Sequence, residues 1–191
     1  MNKLLAEIRK CTVCEKHLQF GANPIITASK QSKIVIIGQA PGRIVHQTGI
    51  PWNDKSGDRL REWMDIDKEI FYDAKKIALV PMGFCYPGND GRSDLPPRPE
   101  CAPLWHHKLL SLMKERKMIL LVGQYAQNYY LKEKTKTSLT ETVRAFKDYL
   151  PEFFPLPHPS PRNNIWQAKN KWFGSEVLPV LKKRIQKILG G

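Results

Sequence analysis

Four short apolar runs punctuate the chain, and each is closed by glycine or proline. Ile34-Val35-Ile36-Ile37 stops at Gly38, and Ile77-Ala78-Leu79-Val80 stops at Pro81. Met118 to Val122 stops at Gly123, and Phe153-Phe154-Pro155-Leu156 stops at Pro157. Such runs, bounded by turn residues, fit strands buried on both faces. Between and after them the pattern turns helical, over Asp58–Met64, Leu104–Lys117, Gln124–Leu131 and Leu139–Phe146. A closing helix is predicted over Asn170–Leu189, with an interruption at Pro179 because proline lacks the amide donor. Met1 to Glu7 reads as a short amphipathic helix. Strands alternating with helices predict a three-layer α/β/α domain around a central four-stranded, mainly parallel sheet. In such sheets ligands bind at the carboxyl ends of the strands, so the loops after the strands should converge on one site.

At 191 residues the chain is expected to form one domain over 1–191, with no internal repeat and no splitting linker. The apolar runs are far too short to cross a bilayer, and the N-terminus lacks the apolar stretch of a signal peptide. A soluble, cytoplasmic monomer in a reducing compartment is the expectation. Lys and Arg total 31 against 18 Asp and Glu, a net charge of +13. That surplus favours a polyanionic partner through phosphate contacts, although it also serves solubility.

The four cysteines are Cys11, Cys14, Cys85 and Cys101. Cys11 and Cys14 form a C-x-x-C pair, and Cys101 follows Cys85 by sixteen residues across a Pro/Gly-rich loop. Four cysteines in a basic, cytosolic chain point to a metal centre rather than disulfides, and such sets hold zinc or an iron–sulfur cluster. Three loops carry candidate chemistry. Gly38-Gln39-Ala40-Pro41-Gly42 follows the first strand, where glycine permits close backbone approach to a ligand. Gly49-Ile50-Pro51-Trp52-Asn53-Asp54-Lys55-Ser56-Gly57 places an aromatic ring in a polar stretch, where it can stack on a base or serve as a lid on the core. Leu156 to Asn164 holds His158 among three prolines, with Ser160, Arg162 and Asn163 able to meet phosphate oxygens.

These loops, in this order, resemble the uracil-DNA glycosylase superfamily, and most of all its iron–sulfur-containing, thermophile-type class. That class has a G-E-x-P-G loop followed by G-x-P-F-x-G-x-x-G. It also has an N-terminal C-x-x-C, a later cysteine pair sixteen apart and an H-P-S/A segment near the C-terminus. Here the matching stretches are Gly38–Gly42, Gly49-Ile50-Pro51-Trp52 with Gly57, the four cysteines, and His158-Pro159-Ser160. Leu121-Val122-Gly123 leading into Ala126 and Gln127 resembles the class's later strand-to-helix junction. The resemblance implies a DNA glycosylase, a base-excision-repair hydrolase acting on the N-glycosyl bond of uracil or another damaged base. It implies a [4Fe-4S] cluster on Cys11, Cys14, Cys85 and Cys101, zinc being the alternative. It implies that Trp52 stacks on the base, that Gly38 and Ala40 contact it, and that Gln39 positions water. His158 would donate to a base oxygen, and Ser160, Pro161, Arg162 and Asn163 would press on the DNA backbone.

Three departures from the class bear on activity. Gln39 stands where the class has an acid, and an amide can orient water but cannot take its proton. Pro81 stands where the class reads uracil with Asn, and Trp52 replaces a smaller Phe. His46 and Asp54 are the candidates to replace the lost acid. The alternative expectation is a catalytically weak or inactive DNA- or nucleotide-binding protein on the same scaffold.

Overall fold

The computed structural model describes residues 1–190. Four strands form one sheet, β1 (Ile34–Ile37), β2 (Ile77–Leu79), β3 (Met118–Val122) and β4 (Phe153–Leu156), in the order β2-β1-β3-β4. Every pairing is parallel, so the sheet is wholly parallel rather than mainly so. Ile34 pairs with both Ile77 and Met118, and Ile119 pairs with Phe153. Side chains alternate across a strand, and here both faces are apolar. Val35, Ile37, Ala78, Ile119 and Leu121 enter one core, and Ile34, Ile36, Leu79, Leu120 and Phe154 enter the other. The outer edge of β2 is covered by Thr27, which exchanges backbone hydrogen bonds with Leu79 at 2.7 and 3.1 Å.

The first core is roofed by helices α1 (Asn2–Arg9), α5 (Cys101–Leu112) and α6 (Gln124–Leu131) through Ile8, Trp105, Leu109 and Ala126. The connection after β1 carries α2 (Arg43–Thr48), α3 (Lys55–Met64) and α4 (Lys68–Tyr72), and that before β4 carries α7 (Leu139–Arg144). The chain closes with α8 (Asn164–Lys169) and α9 (Leu178–Leu189). Leu60, Met64, Phe71, Val143, Leu181 and Ile185 roof the second core from α3, α4, α7 and α9. A helix layer therefore lies on each side of the sheet, the three-layer α/β/α arrangement. No helix among the described residues is long and apolar enough to cross a membrane.

Several helix boundaries differ from the sequence pattern. The second long helix starts at Cys101, because Pro103 falls in its first turn, where the missing amide costs nothing. It ends at Leu112, where the Leu110 carbonyl accepts from Met113 N at 3.2 Å and from Arg116 Nη1 at 2.6 Å. The helix after the second loop starts at Lys55, earlier than Asp58, because Asp54 caps it. The closing helix is continuous from Trp172 to Leu189, and a separate short helix precedes it. α8 ends at Lys169, a widened turn spans Phe173–Val177, and Pro179 sits in the first turn of α9 rather than interrupting it.

Candidate active site

The carboxyl ends of β1, β2 and β4 open onto one cavity of about 550 Å³. Gly38 to Gly42, Pro51, Trp52 and Asp54 line one side, and Pro81, His158, Ser160, Arg162 and Asn163 line the other. The first loop is tied to the segment after β2, since Gly38 O accepts from Met82 N at 2.9 Å and Gln39 O from Gly83 N at 3.1 Å. Gly38 is required by contact, because a Cβ there would lie 2.6 Å from Trp52 Cζ2. Trp52 itself holds a left-handed φ of 57°, rare for a bulky residue. Its carbonyl lies against Gly57, where a Cβ would sit 1.8 Å away, and it accepts from Arg61 Nη1 at 3.5 Å. Arg61 is buried, pairs with Asp58 at 2.6 Å and packs over the Phe71 ring. The start of α3 thus clamps the Trp52 backbone and lays its ring over the end of β1.

Facing Trp52 at 5.9 Å and 27° is the ring of His158. The amide of Ser160 donates to His158 Nδ1 at 3.2 Å, so the neutral ring carries its proton on Nε2. Asn163 Nδ2 donates to His158 O at 2.7 Å and fixes the backbone as well. Burial pushes the His158 pKa below the usual histidine value of 6.5, while the carboxylates of Asp54 and Asp94 pull it part of the way back. The ring is therefore neutral at pH 7, with one nitrogen committed and the other a donor. At the end of β3, Gly123 adopts φ 86°, and Gln127 Nε2 bridges the carbonyls of Leu121 and Leu156 at 3.3 and 2.8 Å. That bridge keeps the end of β4, and with it His158, in register with the rest of the sheet.

The other candidate residues divide by what already occupies them. Ala40 lines the cavity beside Gln39. Asp54 lines it too, but its Oδ1 accepts from Gly57 N at 2.8 Å and caps α3. Ser160 Oγ accepts from Arg162 N at 3.3 Å, and Pro161 opens the short turn that follows. Arg162 is exposed and spends one guanidinium nitrogen on Arg92 O at 3.2 Å. His46 is not brought to the cavity. Neighbouring Val45 lines it, and the next position on α2 points elsewhere, so the His46 ring packs near Tyr86 at 5.8 Å and Phe20 at 6.1 Å. Its Nδ1 is buried without a partner.

Three residues enter the picture only through tertiary structure. Asp94 lines the cavity from the loop between the later cysteines, and its Oδ1 accepts from the buried Tyr86 hydroxyl at 3.2 Å. Tyr125, at the start of α6, lines the outer wall. His106 is 2 % exposed, and Nε2 donates to Pro81 O at 3.0 Å while Nδ1 accepts from Tyr130 Oη at 2.6 Å. Pro81 therefore offers the cavity no side-chain polar group, and its carbonyl is already engaged. Asp94 could have been suspected as a carboxylate following the Asn89-Asp90-Gly91 turn, but nothing in its spacing points to the first loop.

The four cysteines are free thiols around one small cavity beside this site, together with Leu18, Gly83, Phe84 and Arg98. Cys11 follows α1, Cys14 precedes a short turn, Cys85 follows β2 and Cys101 opens α5. Burial pushes the Cys101 thiol up to about 12 and the Cys85 thiol up to about 11. Backbone amides of Phe84 and Asn23 oppose this by donating to Cys101 and Cys85 sulfur. The Cys14 thiol is also raised, by burial and then by the carboxylate of Glu100. Among the described residues, no group of three or more His, Cys, Asp or Glu side chains converges to hold a single metal ion.

A parallel α/β sheet thus presents a cavity of about 550 Å³ at its carboxyl end, with an aromatic ring, a neutral histidine donor and an arginine among its lining residues. The family model of the Uracil DNA glycosylase superfamily matches residues 26–182, and the chain belongs to that superfamily. The match contains the cavity loops, Cys85 and Cys101, whereas Cys11 and Cys14 precede it.

Proposed function

We propose that the chain is a DNA glycosylase that hydrolyses the N-glycosidic bond of a damaged base. The observation that carries this reading is the locked tautomer of His158, whose Nδ1 is occupied by Ser160 N and whose ring lies beside that of Trp52 on the cavity wall. A base must leave the stack to reach such a cavity. Trp52 stacks on it, and the backbone of Gly38 and Ala40 borders its edge. As the bond from C1′ to the base nitrogen breaks, the departing base gains negative charge. His158 Nε2–H donates to a base oxygen and stabilises that charge more in the transition state than in the ground state. Water adds to C1′, and its proton passes to a carboxylate. Each candidate carboxylate has one oxygen engaged, Asp94 Oδ1 by the Tyr86 hydroxyl and Asp54 Oδ1 by the Gly57 amide; Asp94 accepts the proton through its other oxygen, while Asp54 keeps its cap on α3. Gln39 orients the water. Arg162 engages phosphate, while Ser160, Pro161 and Asn163 keep its loop rigid against the backbone.

The substrate is a base with an oxygen facing His158 and no need of an asparagine reader, since Pro81 replaces that group. A base-release screen over oligonucleotides with uracil, hypoxanthine, xanthine and ethenocytosine tests the proposal. Release of one oxo base supports it, and no release of any oxo base overturns it. A second reading, a DNA-binding protein that has lost catalysis, is favoured by Gln39 and Pro81, and it is the outcome if DNA binds without base release.

The residues also fit the [4Fe-4S] cluster of the iron–sulfur class. Cys11, Cys14, Cys85 and Cys101 line one cavity without converging on a point, and amides donate to two of the sulfurs, as cluster ligands commonly receive. Such a cluster would supply a structural tie between the N-terminal arm and the loop after β2. Protein purified without oxygen should carry about four irons per chain. One zinc and no iron would establish the zinc alternative instead.

A further inference from the structure

The opposite end of the sheet carries a second large concavity, a groove of about 880 Å³. Lys33 and Lys117 precede β1 and β3 and are held side by side, Lys117 N donating to Lys33 O at 2.7 Å. Lys183, Arg184 and Lys187 form the other wall from one face of α9. The floor is apolar. Val180 and Ile188 are half-buried against the second core, and Pro179 is exposed beside them.

The charge arrangement is one-sided. Among the described residues no acidic side chain lines the groove. Among the described residues none of its five cations is paired with a carboxylate, whereas adjacent Lys182 pairs with Asp65 at 3.9 Å. Like charges around an apolar floor repel one another and leave apolar surface in water, and a ligand of opposite charge with apolar groups relieves both costs. A phosphate backbone satisfies the rim but offers little to the floor. A short peptide with carboxylates and apolar side chains satisfies both, as charged-motif and groove recognition do elsewhere. We infer that this groove binds an acidic peptide segment with apolar side chains, belonging to a partner protein. The groove lies at the amino ends of the strands and the candidate active site at their carboxyl ends, so one molecule can engage the peptide and a DNA substrate together. The inference does not depend on the glycosylase reading.

The test is fluorescence anisotropy with a labelled peptide of about ten residues alternating Asp or Glu with Leu or Phe, on the scale of known groove ligands. Wild-type protein binds with Kd on the order of 10 µM, and Lys183→Glu with Lys187→Glu weakens binding at least about tenfold. Val180→Asp, which leaves the cations in place, also weakens it. Replacing the peptide's Leu and Phe by Ser costs about tenfold, since the floor then has no partner. Oligonucleotide binding and base release by the doubly reversed variant stay at wild-type level. Equal binding of the Ser peptide, or equal displacement by a short single-stranded oligonucleotide, overturns the inference in favour of a simple polyanion patch. Absence of peptide binding overturns it too, as does a wild-type dimer that the double reversal dissociates.

Discussion

His158 follows β4 and His106 packs against the end of β2, the two outer strands of the sheet, and burial lowers the pKa of both. They differ in what their second ring nitrogen does. In His106 both nitrogens are spent, one on Tyr130 Oη and one on Pro81 O, and the ring stacks on Phe84 at 5.7 Å and 14°. In His158 only Nδ1 is spent, and the ring borders a cavity instead of a core. The same residue type, with the same proton on Nε2, is thus a strut in one region and a donor in the other. A neutral histidine becomes chemically useful when the protein satisfies one nitrogen and leaves the other for a ligand.

Substitution can separate the strut from the donor. His106→Ala should cost most, about 3–5 kcal/mol of unfolding free energy, because it opens a cavity and leaves Pro81 O and Tyr130 Oη buried without partners. Denaturant unfolding measures this, and an unchanged midpoint would end the distinction. Acid is the next test. The His106 pKa falls from 6.5 in the unfolded chain to about 4 in the folded one. The unfolded chain therefore binds the extra proton first as pH drops. The stabilisation is full above about 6.5 and is lost as pH falls toward 4, a change on the order of 3 kcal/mol. His158, shifted the same way, adds to it, and a melting temperature flat over that window would contradict the buried neutral state. Asp94→Asn should slow base release about a hundredfold while leaving stability nearly unchanged, as loss of a proton acceptor does. Gln39→Ala should slow it by less than about tenfold, since water still reaches the site. The reverse order in single-turnover assays would make water orientation by the first loop, rather than proton acceptance by Asp94, the larger contribution.

Much of this was legible in the sequence because the strands are buried on both faces and appear as unbroken apolar runs. Gly38 and His158 were legible as well, since each directly follows or closely trails a strand end where ligands bind. Asp94 and His106 were not. Asp94 reaches the cavity because the Asn89–Asp94 bridge and the Tyr86 hydroxyl fold its loop back, a contact between loops that no periodicity encodes. His106 looks like any polar residue of a helix until Tyr130 and Pro81 are brought beside it. His46 shows the opposite difficulty, since sequence proximity to the first loop does not say which face of a six-residue helix it takes.

The central claim is that His158 acts on the transition state and not on binding. Its most direct test compares wild type and His158→Ala in single-turnover base release and in DNA affinity, on whichever oxo base the screen identifies. A rate lowered about 10²–10³-fold with nearly unchanged DNA affinity is the expected result, the usual cost of one lost charge-stabilising donor. An unchanged rate, or a loss confined to affinity, would contradict the account.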